Sequence, residues 1–198
     1  MKNILLIVIV MLSMSCKSQS VVIDIEKDGW GQPAGYYRKD INNVLDQFQG
    51  TYIYTNGNTT LKMILVKKIK QYNGSYYEDL IIGEYQYIVN GLVKINTLSN
   101  INVVYNNQYV EHAIAGISVI NNNNRQWKCP QCIPDEKRLH SRIIDRSSNR
   151  YADFFMRKTV VNGQEVMQVK IANVKLDVFN DNPQPFSLPL GEFTMIKQ

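Results

Sequence analysis

Three of the four Asn-Gly pairs in this chain predict tight turns between stretches with the patterning of β-strands. These three pairs are Asn56-Gly57, Asn90-Gly91 and Asn162-Gly163. Asparagine and glycine readily adopt the positive φ angles that a two-residue hairpin turn requires. We therefore predict that most of the chain folds as a series of antiparallel β-hairpins.

Strand-like segments continue to the C-terminus, and a single helix is predicted before them. Residues 38–48 have apolar positions at helical spacing, with Asp40 as the N-cap. A long polar loop is predicted over residues 99–112 and a terminal strand over residues 191–197. About eight to ten strands and one short N-terminal helix indicate an all-β fold.

The first predicted strand opens with Gly50-Thr51-Tyr52, directly after the predicted helix. This arrangement resembles the lipocalin-type barrels, in which a short helix leads into a Gly-x-aromatic strand, although Trp usually stands where this chain has Tyr. The resemblance implies an antiparallel meander that closes into a barrel. A β-sandwich is the alternative that the strand pattern leaves open.

The N-terminus has the features of an export signal that ends at a cysteine. Lys2 precedes an apolar run over residues 4–12, which is too short to span a bilayer, and Cys16 follows it. We predict a signal peptide over residues 1–15, a tether over residues 16–35 that is lipid-anchored through Cys16, and a single β domain over residues 36–198. Small residues before Cys16 also suit ordinary cleavage, so soluble secretion remains the alternative.

Charge and cysteine content narrow the possible partners. The net charge of +5 is spread along the chain without a dense basic block, so we expect no nucleic-acid partner.

The cysteine content predicts one disulfide. If Cys16 carries a lipid, Cys129 and Cys132 remain, and an oxidising compartment favours a disulfide between them. Half of a zinc site and a redox-active pair are the alternatives for this C-x-x-C spacing.

Candidate catalytic residues are few. His112 and His140 are the only histidines, and both are predicted to be exposed, as is Arg138 on the same strand face as His140. Glu78 and Glu84 share a predicted strand face that we interpret as solvated, although paired acids can hydrolyse glycosidic bonds. We therefore expect no catalytic residue, no bound metal and no cofactor, and a carboxylate-dependent hydrolase is the alternative.

Tyrosine is abundant in the first half of the chain and supplies the best candidates for a ligand site. Tyr52 and Tyr54 share one predicted face of a strand, and Tyr85 and Tyr87 share another. Tyrosine rings with polar tips can line a cavity or stack on sugars, and tyrosine is also a common residue of half-buried strands. We predict that these four residues line a ligand-binding surface.

Four stretches of the chain resemble a family of exported flavobacterial proteins of unknown function, DUF6705. They are the signal that ends at Cys16, residues 36–57 with their Gly-Thr-Tyr, residues 76–98, and the terminal residues 191–197. The resemblance implies an exported protein with a lipid anchor, and it implies no activity.

Together these observations predict an envelope lipoprotein that acts as a non-enzymatic binding module for a small or envelope-derived ligand. We expect an outer-membrane location facing the periplasm, because no acidic pair follows Cys16. Its expected partners are the membrane, through the lipid, and an unknown envelope ligand or protein. A structural role as the partner of another envelope protein is a further alternative.

Overall fold

A computed structural model describes residues 20–122, 125–130, 132–176 and 184–198. The predicted signal peptide, Cys16 and part of the chain between the last two strands lie outside these residues. The strands are β1 (Val22–Asp24), β2 (Tyr37–Lys39), β3 (Gly50–Asn56), β4 (Thr59–Tyr72), β5 (Tyr77–Val89), β6 (Leu92–Asn96), β7 (Ile114–Asn121), β8 (Lys137–Asp145), β9 (Arg150–Val161), β10 (Gln164–Leu176) and β11 (Gly191–Lys197).

Eight of these strands form a closed antiparallel barrel. The hydrogen-bonded order β5-β4-β3-β11-β10-β9-β8-β7 returns to β5, because β7 also pairs with β5. Closure gives every barrel strand two neighbours, so the barrel itself has no unpaired edge. The predicted all-β, lipocalin-like barrel is confirmed, and the β-sandwich is not formed.

The Asn-Gly pairs turn the chain as predicted. Asn90 and Gly91 both have positive φ, of 52° and 73°, and Asn162 and Gly163 have 51° and 79°. These pairs join β5 to β6 and β9 to β10, and Gly57 lies in the β3–β4 turn with a φ of 55°. Local turn chemistry therefore sets three of the hairpins.

The interior of the barrel is filled with side chains from every strand of the ring. The alternate residues of each strand that face inwards meet in one buried cluster. Its largest fully buried members include Tyr52, Phe154, Tyr85, Leu61 and Met63.

One end of the barrel is closed by the chain that precedes β3. A 3₁₀ helix, η1 (Val44–Phe48), places Val44, Leu45 and Phe48 in the core. The carboxylate of Asp40 accepts hydrogen bonds from the backbone N–H groups of Val44 and Leu45, at 2.7 and 2.9 Å, and also contacts Lys67 Nζ at 2.8 Å. The N-cap residue of η1 is Asn43 and not the predicted Asp40, but the Asp40 carboxylate still satisfies the first N–H groups of the helix.

Two predictions for this N-terminal region require correction. The helix is shorter than the predicted 38–48, because β2 pairs in parallel with both β1 and β5 and so holds residues 37–39 extended. The predicted tether over residues 16–35 is also too long. Ile25 is buried in the core and β1 belongs to the sheet, so residues 20–35 are part of the fold.

The predicted loop over residues 99–112 contains two short helices that cover the outer side of β5. They are the 3₁₀ helix η2 (Leu98–Asn102) and the α-helix α1 (Gln108–Glu111). Ile101 from this cover packs with Leu80, Ile82 and Ala115 in a second buried cluster. The prediction missed both helices because each is only about one turn long and has no apolar periodicity of its own. Among the residues that the structure describes, no helix has the length and hydrophobicity needed to cross a bilayer.

Asp145 fastens the segment before β11 to the other end of the barrel. Its carboxylate accepts hydrogen bonds from the Ser147 backbone N–H at 3.0 Å, the Ser148 hydroxyl at 2.7 Å and the Ser187 backbone N–H at 2.7 Å. Burial acts to raise the pKa of Asp145, but the hydrogen bonds from these serines outweigh it and hold the pKa below its ordinary value. The ionised carboxylate is therefore the form that the fold stabilises.

We predict that Asp145→Asn lowers the free energy of unfolding at pH 7 by about 2 kcal/mol, the usual value for hydrogen bonds to a charged group. The pKa of Asp145 is lower in the folded state than in the unfolded state. Its contribution to the free energy of unfolding is therefore fully present at pH values above the unfolded pKa, and it is lost as the pH falls through the folded pKa. Urea unfolding at pH 7 and pH 3 should thus show a smaller difference between variant and wild type at pH 3. The exposed Asp135→Asn serves as the control, and a difference independent of pH would contradict the prediction.

Candidate functional site

A cleft of about 360 Å³ lies on the outer wall of the barrel. It is formed where β2, the β4–β5 turn, the start of β5 and helix α1 come together. We call it the outer cleft, and its lining residues are Arg38, Asn73, Ser75, Tyr76, Glu78 and Tyr109.

The β4–β5 turn is a preformed wall of the outer cleft. The side-chain oxygen of Asn73 accepts hydrogen bonds from the backbone N–H groups of Ser75 and Tyr76, both at 3.1 Å. Gly74 has a φ of 105°, a conformation that residues with a side chain rarely adopt. The Tyr77 N–H then donates to the Tyr36 carbonyl at 2.9 Å, which ties the turn to the N-terminal segment.

Glu78 and Arg38 are cross-strand neighbours in the parallel pairing of β2 with β5. Glu78 is only 2% exposed, and its Oε2 atom has no hydrogen-bond partner. Arg38 donates from Nη2 to the Ile25 carbonyl at 2.8 Å, while its buried Nε has no partner. Within the described part of the chain, no ion pair joins the two side chains. One acceptor and one donor are therefore left unsatisfied in the same small site.

Burial raises the pKa of Glu78 above its ordinary value, because a charged carboxylate loses its hydration there. Asn73, Arg38 and Tyr76 act in the opposite direction but do not offset the effect of burial. Glu78 therefore keeps its proton to a higher pH than an exposed glutamate does.

Aromatic rings complete the outer cleft. Tyr76 stacks on Tyr36 with ring centroids 4.6 Å apart. Tyr109 lies beneath the guanidinium of Arg142 at 5.2 Å, and its backbone carbonyl accepts a hydrogen bond from Arg142 Nη2 at 2.9 Å. Each ring is fixed by a neighbour, so the rings form rigid walls.

Helix α1 is positioned by buried polar contacts. The Asn107 side chain caps its N-terminus and also donates to the Asn73 carbonyl at 3.0 Å. After the helix, His112 is fully buried, and its Nδ1 and Nε2 contact Glu84 Oε1 at 2.7 Å and Gln108 Oε1 at 2.8 Å. These contacts hold Tyr109 over the outer cleft.

The four predicted ligand-binding tyrosines face the interior of the barrel. Tyr52 and Tyr85 belong to the buried core, Tyr87 is almost fully buried, and Tyr54 packs on Phe193 with ring centroids 4.5 Å apart. The predicted pairing by face is therefore correct. A ligand could reach Tyr52 or Tyr85 only if core side chains moved. A ligand-binding role for the four tyrosines stays a prediction.

The interpretation of Glu78 and Glu84 as a solvated face is wrong, since both side chains are buried. The exposed position predicted for His112 is also wrong, because its ring packs inwards and contacts Glu84 on β5. The two glutamates are six residues apart on β5, which separates them by about 20 Å. Glycosidases place their two carboxylates within roughly 10 Å of each other. With this separation, and with Glu84 bound to His112, these two glutamates do not form a glycosidase-type carboxylate pair.

Cys129 and Cys132 form the predicted disulfide. It lies in a loop on the outer face of β8 and β9, where the Asn122 side chain donates to the carbonyls of Cys129 and Cys132 at 3.0 and 2.8 Å. Arg138, predicted to be exposed, is fully buried beneath this loop and donates to the Trp127 carbonyl. His140 is half-buried and stacks on Phe155 at 4.4 Å. These residues stabilise the loop, and the disulfide leaves neither thiol available as a metal ligand.

The family of unknown function DUF6705 has a sequence model that matches residues 1–198 of this chain. The chain belongs to the DUF6705 family. The resemblance inferred from four short stretches is confirmed, and the DUF6705 match assigns no activity. Searches among curated proteins and among solved structures give no match.

The sequence of this DUF6705 protein does not predict most residues of the outer cleft. Glu78 is a candidate acid in the sequence, whereas no motif marks Arg38, Asn73, Ser75 or Tyr109. They meet only because β2 pairs in parallel with β5 and the residue 98–112 segment folds back over β5. Pairings between such distant segments have no local sequence signal.

We predict that Glu78→Gln changes the pH dependence of stability. Because the folded pKa of Glu78 is raised, the folded state holds this proton more tightly, and wild-type stability falls as the pH rises from the unfolded pKa through the folded one. The glutamine variant lacks this loss, so its stability relative to wild type should increase between pH 4.5 and pH 7.5 in urea unfolding. The exposed Glu192→Gln should show no such trend, and a trend of the opposite sign for Glu78→Gln would refute the assignment.

Proposed function

We propose that this protein is a non-enzymatic binding module of the cell envelope, anchored by a lipid on Cys16, and that its outer cleft binds a neutral sugar. The observation that carries the ligand class is the unsatisfied pair of Glu78 Oε2 and Arg38 Nε in one small site. Anchoring rests on the sequence of residues 1–16 and on the exported character implied by the family resemblance.

A sugar fits the chemistry of the outer cleft. Each hydroxyl group both donates and accepts, so neighbouring hydroxyls can satisfy an acceptor at Glu78 and a donor at Arg38 together. The amide of Asn73 and the hydroxyl of Ser75 offer further hydrogen bonds, and the ring of Tyr109 offers an apolar wall. A volume of about 360 Å³ suits one or two sugar rings.

The main alternative to a sugar is a zwitterionic ligand such as an amino acid, which would place its ammonium group at Glu78 and its carboxylate at Arg38. Two features favour the neutral ligand. The raised pKa of Glu78 shows that its charged form is disfavoured in this site. The guanidinium of Arg38 already donates to backbone carbonyls, which leaves less of it for a ligand carboxylate.

We predict saturation-transfer NMR signals when the purified full-length protein is mixed with glucose, galactose, mannose or N-acetylglucosamine, and none with glycine or alanine. Glu78→Leu should weaken sugar binding about tenfold, the loss expected for one hydrogen-bonding group. Tyr109→Ala provides a second variant at the surface of the site, and Glu192→Gln is the matched control. Binding of amino acids instead of sugars, or sugar binding unaffected by both variants, would overturn the assignment.

Anchoring has a separate prediction. Cys16→Ala removes the only thiol next to the signal sequence, so the protein should move from the membrane fraction to the soluble fraction when cells are fractionated. Mass spectrometry of the wild-type protein should show the added lipid on an N-terminal Cys16. A wild-type protein that is soluble and begins after Cys16 would instead establish ordinary secretion.

A further inference from the structure

Trp30 is the most exposed large apolar side chain in the described part of the chain, at 89%, whereas Trp127 is buried at 5%. It lies at the tip of a turn over residues 28–32. The Trp30 N–H donates to Asp28 Oδ1 at 3.0 Å, and the Gln32 N–H donates to the Gly29 carbonyl at 3.3 Å. The turn is thus held in shape while it presents an indole ring to its surroundings, where the exposed apolar surface is unfavourable in water.

This turn lies close to the point at which the chain enters the fold. Gly29 packs against the Tyr36 ring, where even a Cβ atom would come within 2.2 Å of the Tyr36 hydroxyl. The next residue, Tyr37, donates its N–H to the Val21 carbonyl at 2.8 Å. Ser20, which precedes Val21, is four positions after Cys16, a span of at most about 14 Å.

The N-terminal segment that carries the turn exposes further apolar side chains and is nearly balanced in charge. Val21 and Val22 are exposed at 41% and 51%. Glu26 is paired with Lys137, which leaves the opposite charges of Lys27 and Asp28 beside Trp30. Attraction to anionic lipids would need clustered positive charge, which this region does not have.

We propose that Trp30, with Val21 and Val22, forms a membrane-contact surface that inserts into the interfacial region of the bilayer holding the Cys16 lipid. This inference rests on the proposed anchor, which brings the surface to the bilayer. Tryptophan favours this region because its ring is apolar and its indole N–H can bond to headgroups or water. The lipid on Cys16 holds the protein to the bilayer at one point only, so a second apolar contact restrains the orientation of the barrel.

Fluorescence tests the proposal, because the chain has only two tryptophans. Full-length lipidated protein carrying Trp127→Phe is reconstituted into phosphatidylcholine vesicles with and without brominated acyl chains. We expect Trp30 emission to shift to shorter wavelengths relative to soluble Cys16→Ala protein, and to be quenched by the brominated lipids. Both effects should persist in 1 M NaCl, since the contact is apolar.

If Trp127→Phe does not fold, the same experiment compares wild type with Trp30→Ser, and the quenched signal should be missing from the serine variant. Emission that stays water-like and unquenched in lipidated, vesicle-bound protein overturns the membrane contact while the anchor stands. A protein without lipid on Cys16 by mass spectrometry refutes the anchor itself. Quenching that disappears in 1 M NaCl also overturns the proposal, because it would indicate electrostatic adsorption.

Discussion

The barrel closes where β7 pairs with β5, over the residue pairs Ile81–Gly116, Ile82–Ala115 and Gly83–Ile114. Both glycines stand at points where the chains are too close for a side chain. A Cβ atom at Gly116 would lie 2.2 Å from Ser141 Cβ, and one at Gly83 would lie 2.5 Å from a Leu65 methyl group. This short contact turns an open meander into a ring, and the filled interior and the outer cleft both depend on it.

Closure has a consequence for ligand binding. The barrel encloses a packed core of large side chains, whereas the outer cleft lies on the outer wall. Two coverings create that space: the N-terminal segment, which adds β2 beside β5, and the residue 98–112 segment, which places Tyr109 above it. Both coverings depend on buried polar groups, Asp79 with Tyr37 in one and His112 with Glu84 in the other. The outer cleft and the Trp30 turn meet at Tyr36, which stacks on Tyr76 and packs against Gly29.

Local sequence patterns predicted the hairpins, the terminal strand and the disulfide, because each depends on neighbouring residues or on a cysteine count. The same patterns failed where a distant segment covers a strand. Arg138 lies on an outward strand face, yet it is fully buried by the disulfide loop that folds over it. His112 is fully buried because its own segment packs against β5. Alternation along a strand tells which residues share a face. It does not tell whether that face meets water, because the covering segment is far away in sequence.

The sequence by itself determined the class of fold, the positions of its turns and the family. These properties follow from local conformational propensity and from short motifs within continuous stretches of the chain. The sequence also placed the lipid attachment that we propose at Cys16. Only the tertiary structure decided that Arg38 and Glu78 are neighbours, that Glu84 is held by His112, and that Trp30 is exposed. These facts arise from pairings between segments tens of residues apart, where the free energy of the whole packing, and no local preference, selects the partner.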